Sequence, residues 1–166
     1  KDTSSISALR EDVISHTGEL SSKGFRLSLV KQFIDGELDV GGVELNGDVT
    51  QYVGLGLVYA NFHVNKVGFL TNLVFNRYKV IANGLRVDGS VAYSVHKNMY
   101  ILGGINMGIL FGSGVTTEPF LGVQVGAGAQ ITEEIGVELK YISSNTSKDN
   151  ADLQLHGIEL SGHITF

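Results

Sequence analysis

Glutamate, serine and histidine recur near the end of the chain at a spacing that could serve acyl transfer. Glu159, Ser161 and His163 alternate along one stretch, and their side chains are the acid, hydroxyl and imidazole of a nucleophile–base set. Residues two apart on a strand share one face but lie about 7 Å apart along a line. That distance is too long for a direct hydrogen bond between nucleophile and base. The spacing therefore argues against catalysis here, and His163 is predicted to join a polar network.

A second pair, Ser143 and His156, is better placed because the segment 147–150 can fold the chain back on itself. The two residues would then lie diagonally across neighbouring strands, within side-chain reach. They share the apolar face of those strands with Tyr141, and no acidic partner is evident on that face. Polar residues at a lipid–water boundary are also ordinary at strand ends. Hydrolysis by Ser143 and His156 is therefore an alternative beside a purely structural role.

The sequence offers no convincing metal or cofactor site. The histidines are scattered, with no pair at ligand spacing on one face: His16, His63, His96, His156 and His163. The acidic stretch 36–48 is predicted to form a hairpin around Gly41 and Gly42, and it lacks the ligand spacing of an EF-hand. A solvated acidic hairpin of this kind is the predicted partner-binding loop, through Glu37, Asp39, Glu44 and Asp48.

The composition excludes several classes of protein. A chain of 166 residues is long enough for one domain, and it contains no cysteine for disulfide or thiolate chemistry. Hydrophobic residues make up 43%, yet no stretch approaches the ~18 uninterrupted apolar residues of a membrane helix. The net charge is −5 without any basic cluster, so a nucleic-acid partner is not expected.

Alternation of apolar and polar residues is the dominant pattern, and it predicts strands. The clearest strand follows Gly84, where Leu85 and Val87 alternate with Arg86 and Asp88. Similar patterns predict eight strands, at 23–35, 49–63, 67–80, 84–96, 99–112, 119–132, 135–146 and 152–166. Most connections alternate between very short turns and longer loops, which is typical of the periplasmic and exterior sides of outer-membrane barrels.

One face of these strands is almost entirely apolar, and Lys31 is the only lysine or glutamate that interrupts it. If that face meets lipid, the other face lines a barrel interior with balanced charges. The interior network is predicted to contain Arg26, Arg86, Asp88, Gln124, Glu138, Lys140, Glu159 and His163. Buried charges persist when they are paired, so the network is expected to close the barrel. Inward glycines leave room for a narrow pore or small-ligand cavity as an alternative, although eight strands rarely leave an open channel.

The alternation and the closing Ile164-Thr165-Phe166 resemble the small bacterial outer-membrane barrels of the OmpA-transmembrane, OmpX/Ail and opacity types. The resemblance covers residues 23–166. It implies an all-β, eight-stranded, antiparallel, up-and-down transmembrane barrel in the bacterial outer membrane, monomeric and in contact with lipid and lipopolysaccharide. It further implies an envelope-structural or adhesive role, with a host or envelope protein bound at the extracellular loops.

Two alternatives remain open. A weaker resemblance to the outer-membrane lipid A 3-O-deacylase implies an acyl-ester hydrolase, although Tyr141 stands where that family has histidine in its His-x-Ser motif. A soluble, lipocalin-like barrel would place the apolar face inside, because alternation alone does not tell which face meets which solvent. Residues 1–22 form a separate N-terminal segment, with Ile6, Leu9, Val13 and Ile14 at the spacing of an amphipathic periplasmic helix; a flexible tail is equally compatible.

Overall fold

The computed structural model describes residues 22–51, 53–62, 67–79, 83–96, 98–112, 115–148 and 151–166. The helix expected before Gly18 lies outside these residues. Within them, no helix has the length and apolar character needed to cross a membrane.

Strands make up nearly all of the described chain. They are β1 (Ser22–Val40), β2 (Val43–Thr50), β3 (Gly54–Phe62), β4 (Val67–Arg77), β5 (Asn83–His96), β6 (Met99–Gly112), β7 (Val115–Gln130), β8 (Ile135–Lys148) and β9 (Ala151–Thr165). The predicted strand at 119–132 begins earlier than expected, at Val115.

Pairing between the first and last strands closes the sheet. β1 runs antiparallel to β9 from Arg26 to Val40. On its other side, β1 pairs with β3 through its first half and with β2 through its second half. β2 and β3 therefore occupy one position in the wall in succession, and the nine segments build an eight-stranded antiparallel barrel. The predicted fold class is confirmed.

The acidic stretch 36–48 is a continuation of the sheet. β1 extends to Val40, and β2 returns from Val43 in register with it. Gly41 and Gly42 form the turn with φ angles of 62° and 88°, the two positive values of a type I′ turn. Asp39 accepts a hydrogen bond of 2.9 Å from the Gly42 amide, which fixes the turn further. The predicted hairpin around these glycines is confirmed.

The ladder is interrupted between β2 and β3, and this interruption explains Lys31. β2 ends at Thr50, opposite Phe33, and β3 begins at Gly54, opposite Val30, so the ladder lacks a neighbour for Lys31 and Gln32 on this side of β1 within the described residues. The Lys31 ammonium donates to the backbone carbonyl of Gln51. The backbone amide of Gln32 donates to the side-chain oxygen of Gln51 at 2.6 Å. Side chains thus form hydrogen bonds with backbone groups that the interrupted ladder leaves unpaired. A bilayer offers no water to do so.

Burial alternates along the strands as the sequence predicts for a wall between two environments. In β4 every second residue from Gly68 to Asn76 is buried, and those between are exposed. Large apolar side chains form an exposed belt around the barrel, among them Phe25, Leu29, Phe33, Leu57, Phe69, Val91, Ile105, Val123, Leu139, Tyr141, Leu160 and Ile164. Leu102 and Leu110, which blur the pattern of β6, point inward and are buried. The barrel has a hairpin end, carrying the Gly41–Gly42 turn, and a terminal end, carrying Phe166.

Candidate functional site

The centre of the interior contains a compact group of paired charges. Arg86 makes two contacts with Asp88, of 2.6 and 2.8 Å, and two with Glu159, of 2.7 and 3.0 Å. Lys140 lies 2.7 Å from Glu159 and 3.8 Å from Glu138. All five side chains are buried. The planar guanidinium therefore bridges two carboxylates, and the ammonium is a second cation beside Glu159, which is the kind of pairing that makes buried charge tolerable.

The network continues toward the terminal end through Tyr100. The Tyr100 hydroxyl donates to Glu138, and it also lies 3.5 Å from a guanidinium nitrogen of Arg26. Arg26 is in turn 3.1 Å from Nε2 of His163. His163 is thus a buried interior residue at the terminal end of the network. The contacts of its Nε2 atom are with Arg26 and Gln130.

Toward the hairpin end, the network consists mainly of amide side chains. Gln32 donates to Glu159 at 2.7 Å and accepts from the Tyr78 hydroxyl at 2.8 Å. Gln51 donates to Asn76 at 2.6 Å. Sequence reasoning missed Tyr78, Tyr100 and Gln51 as members of the network. Parity along β6 could have found Tyr100, because it follows the outward Met99, whereas Gln51 lies in the break where parity fails.

The interior is not polar throughout. Val58, Ala60, Leu70, Ala92, Tyr100 and Leu102 form one apolar cluster near the terminal end, and Ile34, Ile142 and Leu155 form another near the hairpin end. A small cavity lies between the first cluster and the charges, lined by Asn72, Gln124 and Lys140 among others. Gln124 donates to Ser90 at 2.6 Å, while its carbonyl oxygen has no hydrogen-bond partner among the residues that the structure describes. The polar lining makes this cavity suited to a water molecule.

The structure brings together Ser143 and His156 more closely than the sequence indicated. The two residues are directly opposite in the β8–β9 register, whereas a diagonal placement was expected. The absence of an acidic partner was also a wrong expectation. Asp35 lies opposite His156 on β1, and Oε1 of Glu37 is 3.9 Å from Nε2 of His156. Asp35 is the last residue of the strand predicted at 23–35, and Glu37 lies on the continuation of β1 into the predicted hairpin.

This outward row has the residue types of a nucleophile, a base and an acid. Ser143 and His156 are half-buried, and both lie just beyond Tyr141 and Ile158 of the apolar belt. Among the described atoms, no hydrogen bond joins the Ser143 hydroxyl to the imidazole. The described residues also contain no group of three potential ligands that could hold a metal ion.

The β1–β2 hairpin carries the acidic residues predicted to bind a partner, and its two faces differ. Glu37, Asp39, Glu44 and Asp48 share the outward face, together with Asp35 and with Asp152 of β9. The opposite face, which continues the barrel interior, is apolar through Leu38, Val40, Val43 and Leu45. The hairpin therefore has a polar outward face and an apolar inward face, whereas the barrel has an apolar outward face and a largely polar inward face.

Comparison with known proteins identifies the fold. No protein-family model and no curated protein sequence matches the chain. Among solved structures, the chain resembles the neisserial surface protein A, with a TM-score of 0.53 and 13% identity over 89% of this chain and all of that one. It also resembles the attachment invasion locus protein of Yersinia pestis, with a TM-score of 0.50 and 11% identity over 87% of this chain and all of that one. At identities this low, the structural similarity establishes a shared fold alone.

The exposed belt supplies an argument that is independent of the comparison. Side chains such as Phe33 and Val123 are 61% and 60% exposed on the outer surface of a closed barrel. A monomeric protein in water rarely exposes so large an apolar area, and a lipid bilayer is the environment that such a belt fits. Fold and belt agree on a transmembrane barrel of the outer-membrane type, which is the predicted class and location.

Proposed function

We propose that the protein is a surface barrel of the bacterial outer membrane that binds a partner through its β1–β2 hairpin. The barrel anchors the hairpin, and the hairpin end faces the exterior. The role is envelope-structural or adhesive, and it requires no metal, cofactor or catalytic step. The chain acts as a monomer, because closure of the barrel leaves its membrane wall without an open edge.

The observation that carries this proposal is the reversal of polarity beyond the belt. Side chains on the outer surface change from Phe33 to Asp35, Glu37 and Asp39 along β1. A surface of this charge is compatible with water and incompatible with lipid. The hairpin therefore projects from the membrane as ordered structure, which provides a fixed surface for recognition at a low cost in conformational entropy.

The central charges support a closed interior. Arg86, Lys140 and Glu159 join β5, β8 and β9 across the barrel axis, and the apolar clusters lie on both sides of them. We expect the purified chain to produce no stable conductance steps in planar bilayers. Steps that survive controls with protein-free detergent would instead favour the narrow-pore alternative.

The partner role is tested by neutralising the hairpin without changing its shape. The variant carries Glu37→Gln, Asp39→Asn, Glu44→Gln and Asp48→Asn, and bacteria displaying it are compared with bacteria displaying the parent chain. We expect adhesion to cultured epithelial cells to fall several-fold, or sensitivity to bile salts to rise, at equal surface expression. A matched variant, Gln154→Ala, lies on the same outward face without altering charge and should behave as the parent. If the neutralised chain and the parent behave alike in both assays, the proposed role is wrong.

A lipid A-modifying hydrolase is the second candidate, and the row of Ser143, His156 and Glu37 favours it. In this reading the Ser143 hydroxyl attacks the acyl carbonyl while His156 takes its proton, and Glu37 stabilises the imidazolium. The ester C–O bond then breaks, His156 returns the proton to the departing alcohol oxygen, and water releases the acyl group from Ser143 as a carboxylic acid. The 3.9 Å contact between Glu37 and His156 provides the acid–base half of this set. The position just beyond the belt is the height at which acyl esters of an outer-leaflet lipid lie.

Mass spectrometry of lipid A after incubation with the purified chain tests the hydrolase. Loss of an acyl chain should disappear with Ser143→Ala and His156→Ala, and it should persist with Ser147→Ala, which alters another outward serine on β8. If the parent chain releases no acyl chain, this candidate is eliminated.

A further inference from the structure

The second strand of the hairpin has an open edge. Within the described residues, β2 pairs with β1 alone, whereas each strand of the barrel wall has a neighbour on both sides. The wall beside it ends at the isolated bridge between Gln51 and Tyr78. All residues from Val43 to Asp48 are exposed. An edge of this kind presents backbone groups that can pair with another strand.

The register identifies which backbone groups are available. A two-residue type I′ turn closes on a hydrogen-bonded pair, here Val40 and Val43, and such pairs then alternate along an antiparallel ladder. Leu45 and Gly47 accordingly bond to β1. Glu44, Asn46 and Asp48 direct their amide and carbonyl groups away from it. Each of these three residues offers one donor and one acceptor to an added strand.

Side chains beside this edge differ on the two faces. On the outward face, an added strand would lie next to Glu44 and Asp48, with the carboxylates of Asp35, Glu37 and Asp39 one strand further away. On the other face it would meet Val43 and Leu45, which are 60% and 58% exposed. The complementary strand therefore has basic residues on one face and apolar residues on the other.

Charge excludes a second copy of this hairpin as the natural occupant. Pairing two β2 edges would bring Glu44 and Asp48 against the same residues of the other copy, and like charges opposite one another are destabilising. An acidic edge is also a common protection of edge strands against self-association. A basic strand would face attraction at the same positions.

From these observations we infer that β2 binds an extended segment of alternating basic and apolar residues, which adds an antiparallel strand to the hairpin. This inference rests on the proposed partner role of the hairpin and specifies its mechanism. Backbone hydrogen bonds to Glu44, Asn46 and Asp48 provide affinity. Basic side chains opposite the carboxylates select the partner by charge.

The probe for this inference is a fluorescently labelled seven-residue peptide of alternating lysine and valine. The full chain is held in nanodiscs of zwitterionic lipid, and binding is followed by fluorescence anisotropy against empty nanodiscs. We expect saturable binding that weakens as salt increases. A peptide of alternating glutamate and valine should not bind. Methylation of the backbone nitrogens of the inner lysines should weaken binding at least tenfold, because it removes donors to the edge without removing charge.

Asn46→Pro tests the same point from the protein side. It removes an outward amide donor and leaves the paired residues Leu45 and Gly47 unchanged, so binding should weaken about tenfold. Asn46→Ala is the matched control and should bind as the parent does. Equal binding of the methylated and unmethylated peptides would overturn strand addition, as would absence of binding by the parent.

The two levels of the proposal can fail separately. If cell adhesion or bile-salt resistance depends on the acidic hairpin but is unchanged by Asn46→Pro, the partner role stands and strand addition is wrong. If the peptide binds at the edge but neutralising the hairpin leaves both cellular assays unchanged, the edge is a binding surface without the proposed cellular role.

Discussion

Strand β1 passes through two regions with the same alternation and opposite polarity. Within the belt its outward residues include Phe25, Leu29 and Phe33, and its inward residues include Arg26 and Gln32. Beyond Phe33 the outward residues are acidic. The inward residues there, such as Leu38 and Val40, are apolar. Backbone geometry is the same in both regions, so the surrounding solvent determines which face carries charge.

Charged residues have different roles in the two regions. In the barrel, Arg86 and Glu159 are buried and mutually paired, so each depends on the other. In the hairpin, Glu44 and Asp48 are exposed and solvated. Buried charges in the first region hold strands together, whereas exposed charges in the second region remain available for a partner. Mutations of similar chemistry should therefore have very different effects in the two regions.

The largest effect is expected from Arg86→Ala. It leaves Asp88 and Glu159 buried with Lys140 as their nearest cation, and breaking a buried pair of this kind costs about 3–5 kcal/mol. The measurement is the free energy of unfolding in urea, followed by circular dichroism in lipid vesicles. Asp48→Asn, in the hairpin, should change the same quantity by less than about 0.5 kcal/mol. Equal effects of the two variants would contradict the distinction between the regions.

The next effect compares two leucines of almost equal exposure. Leu139 in the belt is 54% exposed and Leu45 in the hairpin is 58% exposed. Leu139→Arg places charge in lipid and should reduce the free energy of unfolding by about 2–4 kcal/mol. Leu45→Arg places charge in water and should change it by less than about 0.5 kcal/mol. If Leu45→Arg were as costly as Leu139→Arg, the hairpin would lie in the membrane.

A smaller effect is expected where the wall strand breaks. Lys31→Leu makes the belt more apolar, yet it leaves the Gln51 carbonyl without the ammonium that it accepts from. Loss of a hydrogen bond from a charged donor to a buried carbonyl costs about 1–3 kcal/mol, so the variant should be less stable despite its added hydrophobicity. Unfolding in lipid vesicles measures this, with Leu29→Ile as a control on the same face of β1. If the Lys31→Leu chain were more stable than the parent, Lys31 would be a destabilising residue of the belt.

The fold could be predicted from sequence because parity is a local property. Alternation around Leu85–Asp88 and the terminal Phe166 indicate strands and one apolar face without reference to any neighbour. The extent of β1 could not be predicted in this way. Its polarity reverses after Phe33, and a reversal in the middle of a strand has the same sequence appearance as a loop.

The candidate sites were predictable to different degrees. Charges on inward positions, such as Arg86 and Glu159, follow from parity, but their partners depend on how eight strands meet across the axis. The acid beside His156 depends on the register between β1 and β9, two strands far apart in sequence. The sequence therefore predicts Glu37 only as a partner-binding residue of the hairpin, and the row that it forms with Ser143 and His156 was recognisable only in the folded barrel.

The smallest effect should distinguish the hairpin from the barrel as a folding unit. Gly42 has a φ of 88° with open space where a side chain would lie, so Gly42→Ala meets no clash but costs about 1–2 kcal/mol in backbone strain. Within the described residues β2 pairs only with β1, whereas the central charges Arg86, Lys140 and Glu159 lie on β5, β8 and β9, so we expect opening of β2 to leave them buried. Hydrogen exchange of residues 43–48 should therefore accelerate about tenfold or more, while exchange in β8 stays unchanged. Coupled acceleration in β8 would mean that the hairpin and the barrel open together, and the hairpin would then contribute to the stability of the wall as well as to recognition.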